Sequence, residues 1–410
     1  MPESVSGPPL SDPELAELLG RESRRRESTL QLLASETPAS PAVRAALTSD
    51  LGAKYAEGYP GARYHGGCDV VDDVERLAVD RAAELFGAEY VNVQSLSGSA
   101  ANLAVYAAFA QPGDPVLALR LQHGGHQTHG SRANFSGRWF APIHYGIRAA
   151  DERIDYDELR DLALLHRPRI IVAGGAAYSR LIDFAALREI ADDAEAILWV
   201  DAAHLAGLAA AGVIGSPVPY ADVVTLSTHK VLQGPRGGMI VASEAHRAVL
   251  QKAVHPFVQG GPAMNSIAAK AVCMRESGTE RFAEYAAATV ACAQRLGDEL
   301  ATRGLRIVSG GTDLHFAVAD VSGLDVTGAE AQRRLDSAGI VVDRTVLPFD
   351  PQPVTEGSAI RFGTPCAVLA GLGRDDMVTV AEWIVRALEA EVGSTQHAEL
   401  RREIRLRLGG

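Results

Sequence analysis

From about residue 70 the chain alternates between segments whose apolar residues recur at helical spacing and short runs that are apolar throughout. The pattern predicts a helix over VDDVERLAVDRAAELFG, a strand at YVNVQS, a helix over SAANLAVYAAFA and a strand at PVLALR. Further strands are predicted at RIIVAGG, AILWVD and ADVVTLS, with helical segments between them. Strands apolar on both faces need a covering layer on each, which is the arrangement of βα units around a mainly parallel sheet. These strands end in small or polar residues, and in such sheets the ligand crevice lies at the carboxyl ends of the strands.

The flanks read differently. Ser11-Asp12-Pro13-Glu14 combines a capping-box spacing with a proline suited to a first helical turn, so a helix is expected to start there and run through LAELLGRESRRRES. Arg24, Arg25 and Arg26 on that helix suit an anion site, or else a solvated face or a dimer contact. Near residue 275 a long helical stretch, RFAEYAAATVACAQRLGDELATRG, precedes short strands at LRIVSGG and HFAVADV. A helix over GAEAQRRLDSAG and a closing helix after Arg374 follow. The expected organisation is an N-terminal helical arm over 1–45, a large α/β domain over 46–275 and a smaller α+β domain over 276–410.

Composition narrows the class. The chain has 410 residues, 47% of them hydrophobic, enough for a large core, and a formal net charge of -12. That balance argues against nucleic-acid partners and anionic membrane surfaces, which select basic faces. Cys68, Cys273, Cys292 and Cys366 lie far apart, with neither metal-ligand spacing nor the density of a disulfide-stapled domain, so a cytoplasmic location is expected. The opening MPESVSGPPL has no basic segment leading into an apolar one. The longest nearly apolar run, Leu205 to Ile214, is far short of the ~18 residues of a membrane helix.

Three local features carry candidate chemistry. Lys230, in STHKVLQGPRGG, follows an apolar strand and precedes a glycine-rich turn. An amine tethered and partly desolvated there suits Schiff-base chemistry with an aldehyde cofactor, although alone it reads equally as a surface lysine. Asp201 ends the strand AILWVD, where a buried carboxylate needs a cationic partner. A pyridinium nitrogen would serve, and helix capping is the plainer alternative. Ser97-Gly98-Ser99 stands between a strand and a helix, where backbone N–H groups and hydroxyls can cradle a phosphate, or simply form a turn and cap. Together, in the order cup, aspartate, lysine, they point to a pyridoxal-phosphate (PLP) enzyme.

The strings LLASETPAS, KYAEGYPGARYHGGCDVVDDVE, ELFGAEYVNVQSLSGSAANLAVY, HGGHQTHGSRANFSG, WVDAAHLAGLAAAG, STHKVLQGPRGG, QGGP and IRFGTP resemble, in order, the motif set of serine hydroxymethyltransferases. The resemblance implies the PLP-dependent transferase fold of type I, aspartate-aminotransferase-like, with a smaller C-terminal α+β domain. It implies an enzyme that makes or breaks the Cα–Cβ bond of a β-hydroxy amino acid through an external aldimine and a quinonoid. By that likeness Lys230 would bind the cofactor covalently, Asp201 would hold the pyridinium, His126 would stack on the ring and His204 would meet its phenolic oxygen. Ser97, Gly98 and Ser99 would bind the phosphate, with Tyr55, Gly260 and Gly261 reaching it from a neighbouring subunit. The assembly would thus be a homodimer or a dimer of dimers with shared sites. Arg361 would grip the substrate carboxylate with help from Ser35, Glu57 would act as acid and base at the hydroxyl, and Thr228 and His229 would tune the lysine. A metal site from His123, His126 and His129 is a weaker alternative, because no carboxylate or cysteine stands near them in the sequence.

Departures cluster where substrate and folate would lie. His65 follows Tyr64 where the family usually has a second tyrosine, and Thr37 replaces an asparagine. Ser95, Leu96 and Ala100 replace proline, histidine and glutamine. Of the residues that would flank tetrahydrofolate, Leu121 and Gly125 match, whereas Gln127 and Thr345 do not. A specialised paralogue is therefore expected. A folate-independent threonine aldolase or transaldolase stays open beside the folate-dependent reaction. So does a catalytically silent PLP-fold partner protein, against which the retention of Lys230, Asp201, His126, Glu57 and Arg361 counts.

Overall fold

A computed structural model describes residues 11–409, so the MPESVSGPPL segment lies outside the described residues. The strands in chain order are β1 (Leu30–Gln31), β2 (Gly58–Tyr59), β3 (Ala62–Arg63), β4 (Tyr90–Asn92), β5 (Pro115–Leu119), β6 (Ala141–Tyr145) and β7 (Ile170–Ala173). They continue as β8 (Ile197–Asp201), β9 (Val223–Ser227), β10 (Gly238–Ala242), β11 (Phe316–Asp320), β12 (Ile340–Val341), β13 (Asp343–Thr345) and β14 (Ala359–Gly363).

The chain divides into two compact units. The larger, Ser35–Ala287, is built on a seven-stranded sheet in the order β4-β10-β9-β8-β7-β5-β6. Strands β9, β8, β7, β5 and β6 pair in parallel, and β10 runs antiparallel between β4 and β9, so the sheet is mixed. All five strands expected from apolar runs are present. β6, a half-buried edge strand with a proline, lacks the apolar signature of the rest; β10, which follows a glycine-rich turn, is apolar and buried throughout but is not among the strands expected above. Ala101, Val105, Tyr106, Val116, Ile170, Trp199 and Ile240 share one core cluster on a face of the sheet.

The smaller unit joins the residues before Ser35 to Ala288 and beyond. The sequence places the boundaries after 45 and 275; in the structure they fall after Ala34 and inside the long helix Glu280–Thr302. The physical reason for the first is strand pairing. β1 lies parallel to β12, and Leu30 and Leu32 are wholly buried in a core with Leu296, Leu335, Ile360, Phe362 and Trp383. β11, β14 and β13 form an antiparallel sheet in this unit. LRIVSGG is not a strand: Ile307 makes one isolated bridge and Val308–Gly310 is a 3-10 turn.

The first helix, Pro13–Glu27, is capped by Asp12, whose Oδ1 accepts from the Leu15 N–H at 3.1 Å, and not by Ser11. This register puts Pro13 at the first helical position, where its missing N–H costs nothing. Arg24, Arg25 and Arg26 occupy the last turn, complementing the helix dipole, and Arg25 pairs with Glu22 at 2.7 Å. No residue of this helix is buried, and Leu15, Leu18 and Leu19 are about half exposed at helical spacing. No described helix is long and apolar enough to cross a membrane.

Candidate active site

The carboxyl ends of the central strands meet around a cavity of about 180 Å³ in the larger unit, its walls including Ser97, Gly98, Ser99, His126, Asp201, His204, His229 and Lys230. Each is there for a topological reason. Ser97 follows β4, His126 follows β5, Asp201 closes β8, and the segment bearing Lys230 follows β9. Ser97 caps the helix Gly98–Phe109, its Oγ accepting from the Ala100 N–H at 3.0 Å, so the helix amino terminus opens into the cavity wall.

Asp201 is 7% exposed. Its Oδ2 accepts from Asn102 Nδ2 at 2.8 Å and from His129 Nε2 at 3.1 Å, and its Oδ1 accepts from the Ala203 N–H at 3.1 Å. Burial alone would raise its pKa, but the donors and nearby imidazoles outweigh burial and hold it well below the usual carboxylate range. His129 Nδ1 accepts from the His126 N–H at 3.4 Å, which leaves Nε2 to carry the proton toward Asp201. Asn102 also donates to Thr128 Oγ1 at 2.8 Å, and that hydroxyl meets His126 Nδ1 at 2.7 Å. The carboxylate and the histidine expected on the ring face thus belong to one hydrogen-bonded network.

His123, His126 and His129 do not converge. His123 Nδ1 accepts from the Ile147 N–H at 3.2 Å, while His126, His129 and Asp201 group with ligand atoms within 4.8 Å of one another. The sequence shows no carboxylate near these histidines; folding supplies Asp201. Its oxygens are already satisfied by hydrogen donors, an arrangement suited to holding an anionic acceptor in place.

Lys230 is half-buried in the turn after β9. Burial, then the charges of Arg236 and Lys230, push the pKa of His229 down to about 4, and its buried Nδ1 has no hydrogen-bond partner among the described residues. Thr228 is wholly buried, and its hydroxyl donates to the Pro235 carbonyl at 2.6 Å, bracing the glycine-rich turn and not lining the cavity.

A second group of expected residues lies outside this cavity's wall. In the β2–β3 hairpin and its flanks, Tyr55 and Tyr64 set their rings 5.3 and 5.5 Å from His65. A side chain at Gly260 would come within 3.2 Å of Glu57 Oε1, and one at Gly261 within 3.7 Å of Tyr55. Tyr55 and Tyr64 are 65% and 86% exposed, although large aromatics normally gain from burial. The hairpin is held by Arg63, which donates to Asp72 at 2.8 Å, to Glu75 at 2.5 Å and to the carbonyls of Ala56 and Gly58, both at 2.8 Å.

Of the expected folate residues, Gln127 is exposed and Leu121 lies in a 3-10 turn. Gly125 approaches the backbone so closely that a Cβ would stand 2.3 Å from the Leu119 carbonyl oxygen, a packing requirement in its own right. Ser35 is half-buried in the larger unit. Thr345 and Arg361 belong to the smaller unit, where Arg361 and Asp343 face one another across β13 and β14 and form an ion pair, Nε to Oδ2 at 3.1 Å. Sequence reasoning missed Asn102, Arg236 and Asp343, and it offered His129 as a metal ligand and not as the partner of Asp201. Asn102 had a usable signal, since a lone asparagine within the apolar helix GSAANLAVYAAF needs a buried partner.

An anion cup, an ionised carboxylate, an amine and the side chains of His126 and His204, all around one cavity, fit a phosphorylated pyridine aldehyde. The comparisons with known proteins agree. A family model described as serine hydroxymethyltransferase matches residues 9–384. A serine hydroxymethyltransferase of Koribacter versatilis (strain Ellin345) is 48% identical over 393 residues, covering 96% of this chain and 92% of its own. The chain belongs to the serine hydroxymethyltransferase family, PLP-dependent enzymes of fold type I.

Proposed function

We propose that this enzyme interconverts L-serine and glycine, with tetrahydrofolate carrying the one-carbon unit. The observation that carries the reading is the convergence of Ser97–Ser99, Asp201, His126, His204 and Lys230 on one cavity at the strand ends. When bound, the pyridoxal ring takes up the electron pair released as the Cα–Cβ bond breaks. Lys230 would tether the aldehyde carbon, and the helix amino terminus after Ser97 would seat the phosphate. Asp201 would keep a proton on the ring nitrogen, His126 would cover the ring face and His204 would meet the phenolic oxygen. Arg361, turned by Asp343, would orient the substrate carboxylate with Ser35, and Glu57 would accept the hydroxyl proton.

Formation of glycine from L-serine is expected to be rapid with tetrahydrofolate and negligible without it. Folate-independent cleavage of serine or threonine at a comparable rate would instead favour an aldolase, the direction in which Gln127 and Thr345 lean.

The exposed Tyr55, Tyr64 and Gly260, beside the half-buried Glu57 and Gly261, support a site completed by a second copy of the chain, and the unburied leucine face of Pro13–Glu27 supports a close dimer. Lys230→Ala and Glu57→Gln, each nearly inactive alone, should recover activity when mixed and allowed to exchange subunits. A mixed dimer would then hold one site with both residues intact. No recovery, despite exchange shown by mass, would place the whole site within one chain.

A further inference from the structure

A second lysine lies behind the phosphate cup, and the reaction described above leaves it unused. Lys270, in the helix Met264–Ser277, is 1% exposed, although lysine is almost never fully buried without a partner anion. Its Nζ donates to three backbone carbonyls, those of Val93 at 2.5 Å, Ser95 at 3.0 Å and Gly238 at 2.9 Å. Three acceptors engage all three hydrogens of an ammonium. Among the described residues no carboxylate forms an ion pair with it, and Glu75 acts on it only at longer range. Burial pulls its pKa down to about 7. Carbonyl dipoles offset part of the cost of a buried cation; an adjacent anion would offset more.

The three carbonyls bracket the cup. Val93 and Ser95 lie on the segment leading from β4 to Ser97, and Gly238 opens β10. The Gly238 N–H donates to the Ser95 carbonyl at 3.0 Å. A Cβ on Gly238 would stand 2.2 Å from the Ser97 carbonyl oxygen, so the two segments touch. The ammonium sits one backbone layer beneath the turn that opens into Gly98–Phe109.

We propose that Lys270 is a positioning residue for the cofactor phosphate, tying the segment after β4 to the start of β10 so that the cup is preformed, and balancing the phosphate dianion from behind. The proposal rests on the cofactor reading above, and the test separates the two. Apo-protein of the unaltered chain, K270M and K270R is titrated with pyridoxal phosphate and with pyridoxal, which lacks the phosphate, following the absorbance of the lysine-bound aldehyde. Folding is checked by circular dichroism.

K270M is expected to bind pyridoxal phosphate at least about tenfold more weakly, the size of one charge-assisted interaction, with pyridoxal affinity little changed. K270R, which keeps the charge, should recover part of the loss. Equal loss for both ligands, or no loss, overturns the proposal. An unaltered chain that binds neither ligand would instead overturn the cofactor reading. If K270M does not fold, K270Q takes its place in the same comparison, and failure of both to fold assigns Lys270 to the scaffold and overturns the proposal.

Discussion

Lys230→Ala is expected to lower turnover by roughly 10³–10⁶-fold, the range seen when a covalent catalytic group is removed from a preorganised site. The fold should survive. Lys230 is half-buried at a cavity wall, and the turn that carries it is held by backbone, the Gln233 N–H donating to the Lys230 carbonyl at 2.9 Å and the Gly234 N–H to the Thr228 carbonyl at 2.8 Å. Truncating such a side chain is expected to shift stability by about 1 kcal/mol or less. Two measurements check this. Steady-state turnover gives the rate, and borohydride reduction followed by mass spectrometry asks whether pyridoxal phosphate becomes fixed to the chain, as it should in the unaltered protein and not in the variant. A variant that keeps turnover within tenfold would remove the basis for the assigned chemistry.

Asp201→Asn should lower kcat by roughly 10²–10⁴-fold, the scale of losing a correctly held proton at the reacting system. The two side chains have nearly the same shape, so the effect isolates charge and acceptor capacity. Asn102 and His129 both aim hydrogens at Oδ2 of Asp201. An amide presents one acceptor oxygen and one NH₂ group, so either the Ala203 N–H at the Oδ1 position or both donors at the Oδ2 position would face an NH₂ group and lose an acceptor. The variant is also expected to show an altered absorbance of bound cofactor, because the ring nitrogen would lose its anion.

Acid unfolding gives an independent check. The folded-state pKa of Asp201 is depressed, so its contribution to stability is fully present above the unfolded value of about 3.9 and is lost as pH falls below it. The difference in stability between the unaltered chain and Asp201→Asn should therefore shrink as pH falls below about 4. A difference that grew with acid would contradict an ionised, donor-held carboxylate.

Much of this protein is legible from local pattern. Apolar runs located β4, β5, β7, β8 and β9, because strands buried on both faces must be apolar at every position. The order cup, aspartate, lysine pointed to the cofactor class before any folding, because in a sheet of βα units each such residue stands at a strand end and strand ends share one edge. The motif strings resembled the family that the comparisons then showed. Element ends were less legible: Asp12 and Ser11 are both good caps, and only the preference of Pro13 for the first helical position separates them.

What the chain determined by itself was most of the buried strands of the central sheet, the fold class, the family and several of the residues that meet at the cavity. Tertiary structure alone decided which of them touch. The partners Asn102 and His129 stand 99 and 72 positions from Asp201, beyond any periodicity a local window can report. The same holds for Arg361 with Asp343 across two strands, for Lys270 beneath the cup, and for the N-terminal strand that joins the smaller unit through β12. Hydrophobic spacing records how each residue faces water, whereas a buried polar group is satisfied by whichever donor or acceptor the completed topology brings beside it.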